Sequence, residues 1–202
     1  TTLDVGQLIY RVPVSHADFE AVGRLRTQVF SPHLTSTYSK YMQERMYTAA
    51  CAEKALVVLA VAGTADSSQD QQIVGAADVA LSSVAGSSEA IGYVTNVVVD
   101  PRARRRGIGR RLMEELEPLV QAHGLSALGM HVDEANEAAR ELYLGCGYVL
   151  GSCLEGTAES ELFAEFVASD SGPQVLMSKL LCTRIEDDHK GLLGALKSFF
   201  GE

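Results

Sequence analysis

The residues with the clearest chemical potential form a basic turn with the spacing Arg104-x-x-Gly107-x-Gly109. An apolar, β-branched run precedes this turn, and a segment with the apolar spacing of a helix follows it. The first amides of a helix have no intrahelical acceptor and lie at the positive end of the helix dipole, so they can bind an anion. Glycine has no Cβ, which lets the backbone approach a ligand closely. We therefore predict that the turn binds phosphate groups.

The charge distribution favours an anionic ligand at this turn. Six arginines lie between residues 102 and 111, although the 202-residue chain has a formal net charge of −9. A polyanionic ligand would explain this local reversal of charge. Nucleic acid is not expected as a main partner, because neutralising many phosphates requires more than one basic turn.

The motifs of two other classes of phosphate-binding protein are absent from this sequence. The chain has no Gly-x-x-x-x-Gly-Lys-Ser/Thr motif, and it has no Gly-x-Gly-x-x-Gly after an N-terminal strand. The sequence therefore does not favour a nucleotide hydrolase or a dinucleotide-binding enzyme.

The basic turn and a second block together resemble one family. The spacing Arg104-x-x-Gly107-x-Gly109 resembles the acetyl-CoA signature of the GCN5-related N-acetyltransferase (GNAT) superfamily. The later stretch HVDEANEAARELYLGCGY, residues 131–148, resembles the family's strand, its Asn-x-x-Ala-x-x-Leu-Tyr helix and its Gly-Phe/Tyr turn. The similarity covers roughly residues 8–182 and is close only over 91–150. Within the superfamily the chain looks most like protein acetyltransferases of the bacterial ribosomal-protein and plastid types.

The resemblance implies acetyl-CoA as the cofactor and CoA as the product. Phosphates are expected at the basic turn, and unpaired backbone groups of the preceding strand are expected to hold pantetheine. Asn136 is expected to contact pantetheine or to cap the helix that follows it, since asparagine is a good N-cap. The expected cofactor-binding residues are Val97, Val98, Val99, Arg104, Arg105, Arg106, Gly107, Ile108, Gly109, Arg110 and Asn136. No metal site is expected.

The same resemblance implies three catalytic residues. Tyr143 occupies the family's Leu-Tyr position and is expected to donate a proton to the leaving thiolate; a core tyrosine is the alternative. His131 is the expected base for the incoming ammonium, directly or through a water, and a structural histidine is almost equally consistent with the strand pattern. Tyr93 is expected to order that water.

The apolar periodicity predicts the elements that must position these residues. Strands are predicted at 8–12, 55–62, 73–82, 91–99, 127–132, 148–153 and 174–181, and helices at 18–30, 38–52, 107–123 and 136–146. The implied fold is the α/β (α+β) GNAT fold, a mixed, mostly antiparallel sheet of about seven strands with helices on both faces. Its fourth and fifth strands are expected to splay apart. We expect one domain over 8–182 and a C-terminal tail over 183–202.

Composition bounds the class and the compartment. The chain is 47% hydrophobic, its apolar runs are too short to span a membrane, and its four cysteines form no disulfide framework. We expect a soluble protein in a reducing intracellular compartment, the plastid stroma by resemblance, with the cytoplasm as the alternative. The chain starts at Thr1 rather than at methionine, which is consistent with processing or trimming.

The acceptor is expected to be the primary amine of a protein, either an N-terminus or a lysine. By resemblance, the acceptor site is lined by residues 31–41 and 154–173. The second segment carries acidic residues and has no lysine or arginine. An acidic rim attracts a protonated amine. Polyamine or small-molecule acetylation is one alternative function.

The tail suggests another alternative. Residues 191–200 have helical apolar spacing that ends in Phe199 and Phe200, which predicts an amphipathic helix. Such a helix packs on its own domain or docks on another protein or a membrane surface. The chain would then be a catalytically weak or inactive interaction subunit.

Overall fold

The computed structural model describes residues 7–30, 44, 46–52, 54–63, 71–83, 90–153 and 173–181. In chain order the elements are β1 (Leu8–Arg11), α1 (His16–Phe30), β2 (Ala55–Ala62), β3 (Gln72–Ser83), β4 (Ala90–Val99), a 3-10 helix (Pro101–Ala103), α2 (Ile108–Ala122), β5 (Leu125–Asp133), α3 (Glu137–Gly145), β6 (Val149–Leu150) and β7 (Gln174–Leu180). The strands form one seven-stranded sheet in the order β1-β2-β3-β4-β5-β7-β6. Its pairs are antiparallel except for β4 and β5, which are parallel.

Helices cover both faces of this sheet, as the resemblance implies. On one face, called the α1 face below, Phe19, Val22 and Leu25 of α1 pack against β2 and β3. On the opposite α2–α3 face, the apolar side of α2 joins a core that includes Tyr143 of α3. A mixed sheet with a helical layer on each side confirms the predicted fold class.

The fourth and fifth strands separate part of the way along their length. β4 pairs with β5 only from Ala90 to Tyr93, opposite Leu125 to Gly129. Beyond Tyr93, β4 stays paired with β3 on its other edge. The predicted splay is therefore confirmed, and it leaves a gap between the two strands.

β4 also carries a bulge just beyond the point of separation. Thr95 pairs with Asp78 and Val98 pairs with Ala76, so Asn96 and Val97 together lie opposite Ala77. Asn96 has φ of +53°, which is uncommon for a residue other than glycine. A bulge bends its strand and changes the direction of the groups that follow it.

Several predicted bounds differ from the structure for local reasons. The predicted strand 148–153 is reduced to Val149–Leu150, because Gly151 turns the chain at φ of +85°. β5 begins at Leu125 rather than at 127, because Gly124 at φ of +78° ends the preceding helical segment. Residues 46–51 are helical, in agreement with the described part of the predicted helix 38–52.

Some expectations concern residues outside the described ranges. These are the acceptor segment 31–41, nearly all of 154–173, Thr1, Cys182 and the tail 183–202 with its predicted amphipathic helix. The described cysteines, Cys51, Cys146 and Cys153, are free thiols. Among the helices of the described ranges, none is long and apolar enough to cross a membrane.

Candidate active site

The basic turn lies between the end of β4 and the start of α2, where the sequence places it. Gly107 is the N-cap of α2 and adopts φ of +75°, and Arg105 adopts φ of +65°. A Cβ built on Gly107 would meet no protein atom within 4 Å. The glycine is therefore required by its backbone conformation, and the protein leaves the space beside it open. An open helix N-terminus of this kind fits a phosphate group.

The second glycine of the motif has a different structural reason. A Cβ on Gly109 would lie 3.0 Å from Cδ2 of Leu142 in α3. Gly109 thus allows α2 and α3 to approach each other closely. We predicted that both glycines allow close approach of a ligand; for Gly109 the structure adds a packing reason, and its place in the cofactor site stays a prediction.

All six arginines around the turn have exposed side chains. Their contacts within the protein include the ion pair of Arg102 with buried Asp100, the approach of Arg104 to 3.4 Å from the carbonyl of Val99, the bond from Arg110 to the carbonyl of Gly145 at 2.6 Å, and the ion pair of Arg111 with Glu115. Arg110, predicted to bind the cofactor, therefore connects the start of α2 to the end of α3.

The predicted pantetheine-binding residues lie along the separated part of β4. Val98 is buried on the α1 face, while Val97 and Val99 pack against the core of the α2–α3 face. The backbone of Val98 and Val99 pairs with Ala76 and Gly75 of β3. On the other edge, the described β4–β5 pairing has already ended at Tyr93. This edge of the strand faces the gap.

Asn136 was predicted either to contact pantetheine or to cap the following helix, and the structure shows it as the N-cap of α3. Its Oδ1 accepts a hydrogen bond from the amide of Ala139 at 3.1 Å, which caps α3.

Tyr93 and His131 form a hydrogen-bonded pair across the β4–β5 boundary. The Tyr93 hydroxyl lies 2.8 Å from Nδ1 of His131, and it also accepts the His131 backbone amide at 3.2 Å. Cross-strand register places both side chains on the α1 face, since Tyr93 pairs with Ala80 of β3 and with Gly129, two residues before His131. Burial lowers the pKa of His131. Burial raises the pKa of Tyr93, although the bond from the His131 amide opposes this rise.

Tyr143 lies on the opposite face of the sheet. It belongs to the core between α2, α3 and the sheet, and its ring contacts that of Tyr148 edge to face at 6.0 Å between centroids. Burial raises the pKa of Tyr143 to about 12, with a smaller contribution from Cys146. The phenol therefore keeps its proton near neutral pH. The structure brings Tyr93 and His131 into contact, and it places Tyr143 on another layer.

A further polar cluster was missed by the sequence analysis. Arg26 of α1, Asp78 of β3 and Asn96 of the bulge are joined by hydrogen bonds on the α1 face. The available signal was a single carboxylate, Asp78, within the otherwise apolar strand sequence IVGAADVAL. No group of three or more potential metal ligands occurs in the described part of the chain.

Comparison with known proteins gives the same family as the motifs. Residues 24–148 match the sequence profile described as the Acetyltransferase (GNAT) family. GCN5-related N-acetyltransferase 4, chloroplastic, from Arabidopsis thaliana is 41% identical over 58 residues, which is 29% of this chain and 20% of that protein. [Ribosomal protein bS18]-alanine N-acetyltransferase from Salmonella typhimurium is 40% identical over 53 residues, 26% of this chain and 36% of that protein. The matched stretches thus span well under half the length of either relative.

Among solved structures, a crystal structure of the NatC complex bound to Gag peptide and CoA is similar in fold. The TM-score is 0.62 at 16% sequence identity, and the match covers 87% of this chain and 99% of that one. At this identity the likeness concerns the fold alone.

Proposed function

The chain belongs to the acetyltransferase (GNAT) family, and we propose that it transfers the acetyl group of acetyl-CoA directly to a primary amine of a protein. One observation carries the proposal: the hydrogen-bonded Tyr93–His131 pair lies at the point where β4 and β5 separate. A gap that begins beside a neutral base can hold the thioester of acetyl-CoA next to the acceptor amine. The transfer is sequential, with cofactor and acceptor bound together.

The protein residues suited to the cofactor follow from the geometry of the gap. The open N-terminus of α2 and the exposed side chains of Arg105 and Arg106 suit the phosphates. The gap-facing edge of β4 near Val97, Val98 and Val99 suits an extended chain that carries amides, such as pantetheine. Acetyl-CoA supplies the activated acyl group as a thioester. Asn136 contributes to this site through the position of α3, which it caps.

Tyr93 and His131 together accept the proton of the acceptor amine. An amine attacks only when neutral, so a group must accept the proton of the incoming ammonium. Burial lowers the pKa of His131, which keeps the imidazole neutral near pH 7. The Tyr93 oxygen accepts the proton of the ammonium, directly or through a water, while Tyr93 gives its own proton to Nδ1 of His131. The net result is a neutral amine and an imidazolium.

Tyr143, on the α2–α3 face of the sheet, is the proposed proton donor to the leaving thiolate. Its pKa of about 12 keeps the phenol protonated, so it can donate a proton to the sulfur as the thioester bond breaks. Replacing Tyr143 with phenylalanine should lower kcat by about 10- to 1,000-fold, the range of general-acid assistance. The affinity for CoA and the unfolding temperature should stay close to those of the wild type.

The test combines steady-state kinetics with calorimetric titration of CoA. Tyr148→Phe is the matched control, because it removes a neighbouring buried phenol hydroxyl and keeps the same edge-to-face contact. A Tyr143→Phe variant with wild-type kcat would assign Tyr143 to the core. A wild-type protein that binds CoA and acetylates no amine would favour an interaction subunit instead.

A protein amine is the proposed acceptor class. The Salmonella relative is named for acetylation of a ribosomal-protein alanine, and the similar NatC structure contains a peptide. The acidic composition of segment 154–173 supports attraction of a cationic amine. A panel of free peptide N-termini, N-blocked lysine peptides and polyamines separates the choices through kcat/KM. A higher value for a polyamine than for any peptide would replace this proposal.

The compartment is part of the same proposal. The Arabidopsis relative is named as chloroplastic, which supports the plastid stroma. Microscopy of the full-length protein fused to a fluorescent tag tests this, and a signal confined to the cytoplasm would contradict it.

A further inference from the structure

A charged pair is buried on the α1 face beside the β4 bulge. Nη2 of Arg26 in α1 lies 2.6 Å from Oδ1 of Asp78 in β3, and the two side chains are 13% and 6% exposed. Removing two charges from water costs free energy, and apolar residues of similar volume often stabilise a fold equally well. The pair is therefore poorly explained by stability alone.

The pair holds one particular peptide group of β4. The same Nη2 of Arg26 donates to the backbone carbonyl of Asn96 at 3.1 Å, and Nδ2 of Asn96 lies 3.4 Å from Oδ2 of Asp78. The guanidinium is also in contact with the thioether sulfur of Met46 through Nη1. We call Arg26, Asp78 and Asn96 the bulge brace. It connects α1 and β3 to the bulge.

The brace acts on a strained part of the strand. Asn96 adopts φ of +53°, a conformation that is uncommon for residues other than glycine and that asparagine adopts more readily than most of them. Such a conformation persists only where its surroundings fix it. Asn96 follows the last β4–β5 pair at Tyr93 by three positions and directly precedes Val97. The held peptide therefore sets the course of β4 where it borders the gap.

We infer that Arg26 and Asp78 are positioning residues for acetyl transfer. Arg26 holds the carbonyl of Asn96 and Asp78 holds Arg26, so together they fix the bulge and keep the gap-facing backbone amides of β4 beyond it aimed at the acyl group of bound acetyl-CoA. Hydrogen-bond donors contribute most to catalysis when they are preorganised towards the developing charge. This inference rests on the proposed function, and it concerns residues that do not touch the reacting atoms.

The test replaces the pair with apolar residues, Arg26→Met together with Asp78→Leu. Exchanging both charges avoids leaving one charge buried, so the double variant should unfold near the wild-type temperature. The bond to the Asn96 carbonyl is lost all the same. We expect kcat to fall by about 10- to 100-fold while the Kd for CoA stays within about threefold. We also expect hydrogen exchange of the peptide covering residues 94–99 to become at least about tenfold faster.

Two further variants keep the test informative. Arg26→Lys retains the charge opposite Asp78 but replaces the forked guanidinium with a single ammonium, so it should show a smaller form of the same loss. Arg11→Met is the matched control, since Arg11 forms the ion pair between β1 and Asp18 of α1. It should lower the unfolding temperature and leave kcat and exchange of residues 94–99 unchanged.

The outcomes separate this inference from the proposed function. A stable double variant with wild-type kcat, or with unchanged exchange in residues 94–99, overturns the positioning role. A raised acceptor KM at unchanged kcat also overturns it and assigns Asp78 to acceptor binding. If the wild-type protein acetylates no amine, the proposed function fails, and the exchange measurement alone still decides whether the brace fixes the bulge.

Discussion

Burial is the main cause of the pKa shifts of His131 and Tyr93. Burial lowers the pKa of His131 and raises that of Tyr93, so both groups are neutral near pH 7. The strand pattern alone left His131 open between a core and a catalytic role. Its contact with Tyr93 is consistent with the family resemblance, but strand alternation could not give the 2.8 Å distance, because it depends on the register between β4 and β5.

The pH dependence of the rate tests the role of this pair. Because the pKa of His131 is lowered, kcat/KM should rise with pH through a limb centred below the ordinary histidine value of about 6.5. A second limb belongs to the acceptor amine and moves when amines of different pKa are used. The lower limb should stay in place across those amines. His131→Gln should remove it and reduce the rate, while CoA affinity is retained.

His123→Gln is the control for this experiment, because His123 lies at the C-cap of α2, where its ring contacts the Leu119 carbonyl. Its profile should match that of the wild type. A lower limb that persists in His131→Gln would assign His131 to the core and leave water as the proton acceptor.

The elements were more predictable than the contacts between them. Periodicity located most strands and helices within two residues, because alternation and helical spacing are local properties of the sequence. The bulge at Asn96 and the brace through Arg26 were not predictable, since they depend on residues 52 and 70 positions away from Arg26. The bond from Arg110 to the carbonyl of Gly145 was not predictable for the same reason, since Gly145 lies on another helix, and the role of Arg110 in cofactor binding stays a prediction.

The two glycines of the motif should respond differently to the same substitution. Gly107→Ala places a Cβ in open space at φ of +75°, so it should cost about 1 kcal/mol of stability and weaken CoA binding by at least about tenfold. Gly109→Ala brings a Cβ within 3.0 Å of Leu142. It should disturb the packing of α2 on α3, with a lower unfolding temperature as the main effect.

Calorimetry with CoA and thermal unfolding measure both effects. Leu142→Ala should rescue part of the stability lost in Gly109→Ala and should do nothing for Gly107→Ala. If Gly107→Ala bound CoA as tightly as the wild type, the basic turn would not be the phosphate site.

At the scale of the whole molecule, carboxylates connect separate layers. Asp18 accepts both guanidinium nitrogens of Arg11 at 2.8 Å and the amide of Val14 at 2.7 Å, so it joins the edge strand β1 to α1. Lys179 of β7 is paired with Glu117 of α2 and also donates to the carbonyl of Cys146 after α3. The first and last strands are thus each tied to a helix by charge-assisted hydrogen bonds.

Acid stability tests the contribution of Asp18. Burial alone would raise its pKa, but the hydrogen bonds from Arg11 and Val14 outweigh burial, and the pKa is lowered. A carboxyl whose pKa is lower in the folded state stabilises the fold above its ordinary pKa of about 3.9, and this contribution is lost as pH falls through the folded value. Asp18→Asn should therefore lower the free energy of unfolding at pH 7 by about 1.5–3 kcal/mol, the range for hydrogen bonds to a charged group. The difference from wild type should shrink below about pH 4 and disappear in stronger acid, as measured by urea unfolding at each pH.

Glu134→Gln, which removes an exposed carboxylate before α3, should follow the wild-type curve throughout. A stability difference between Asp18→Asn and wild type that stayed constant from pH 7 to pH 2 would mean that the asparagine acts through packing, and that the charge of Asp18 does not stabilise the attachment of β1 to α1.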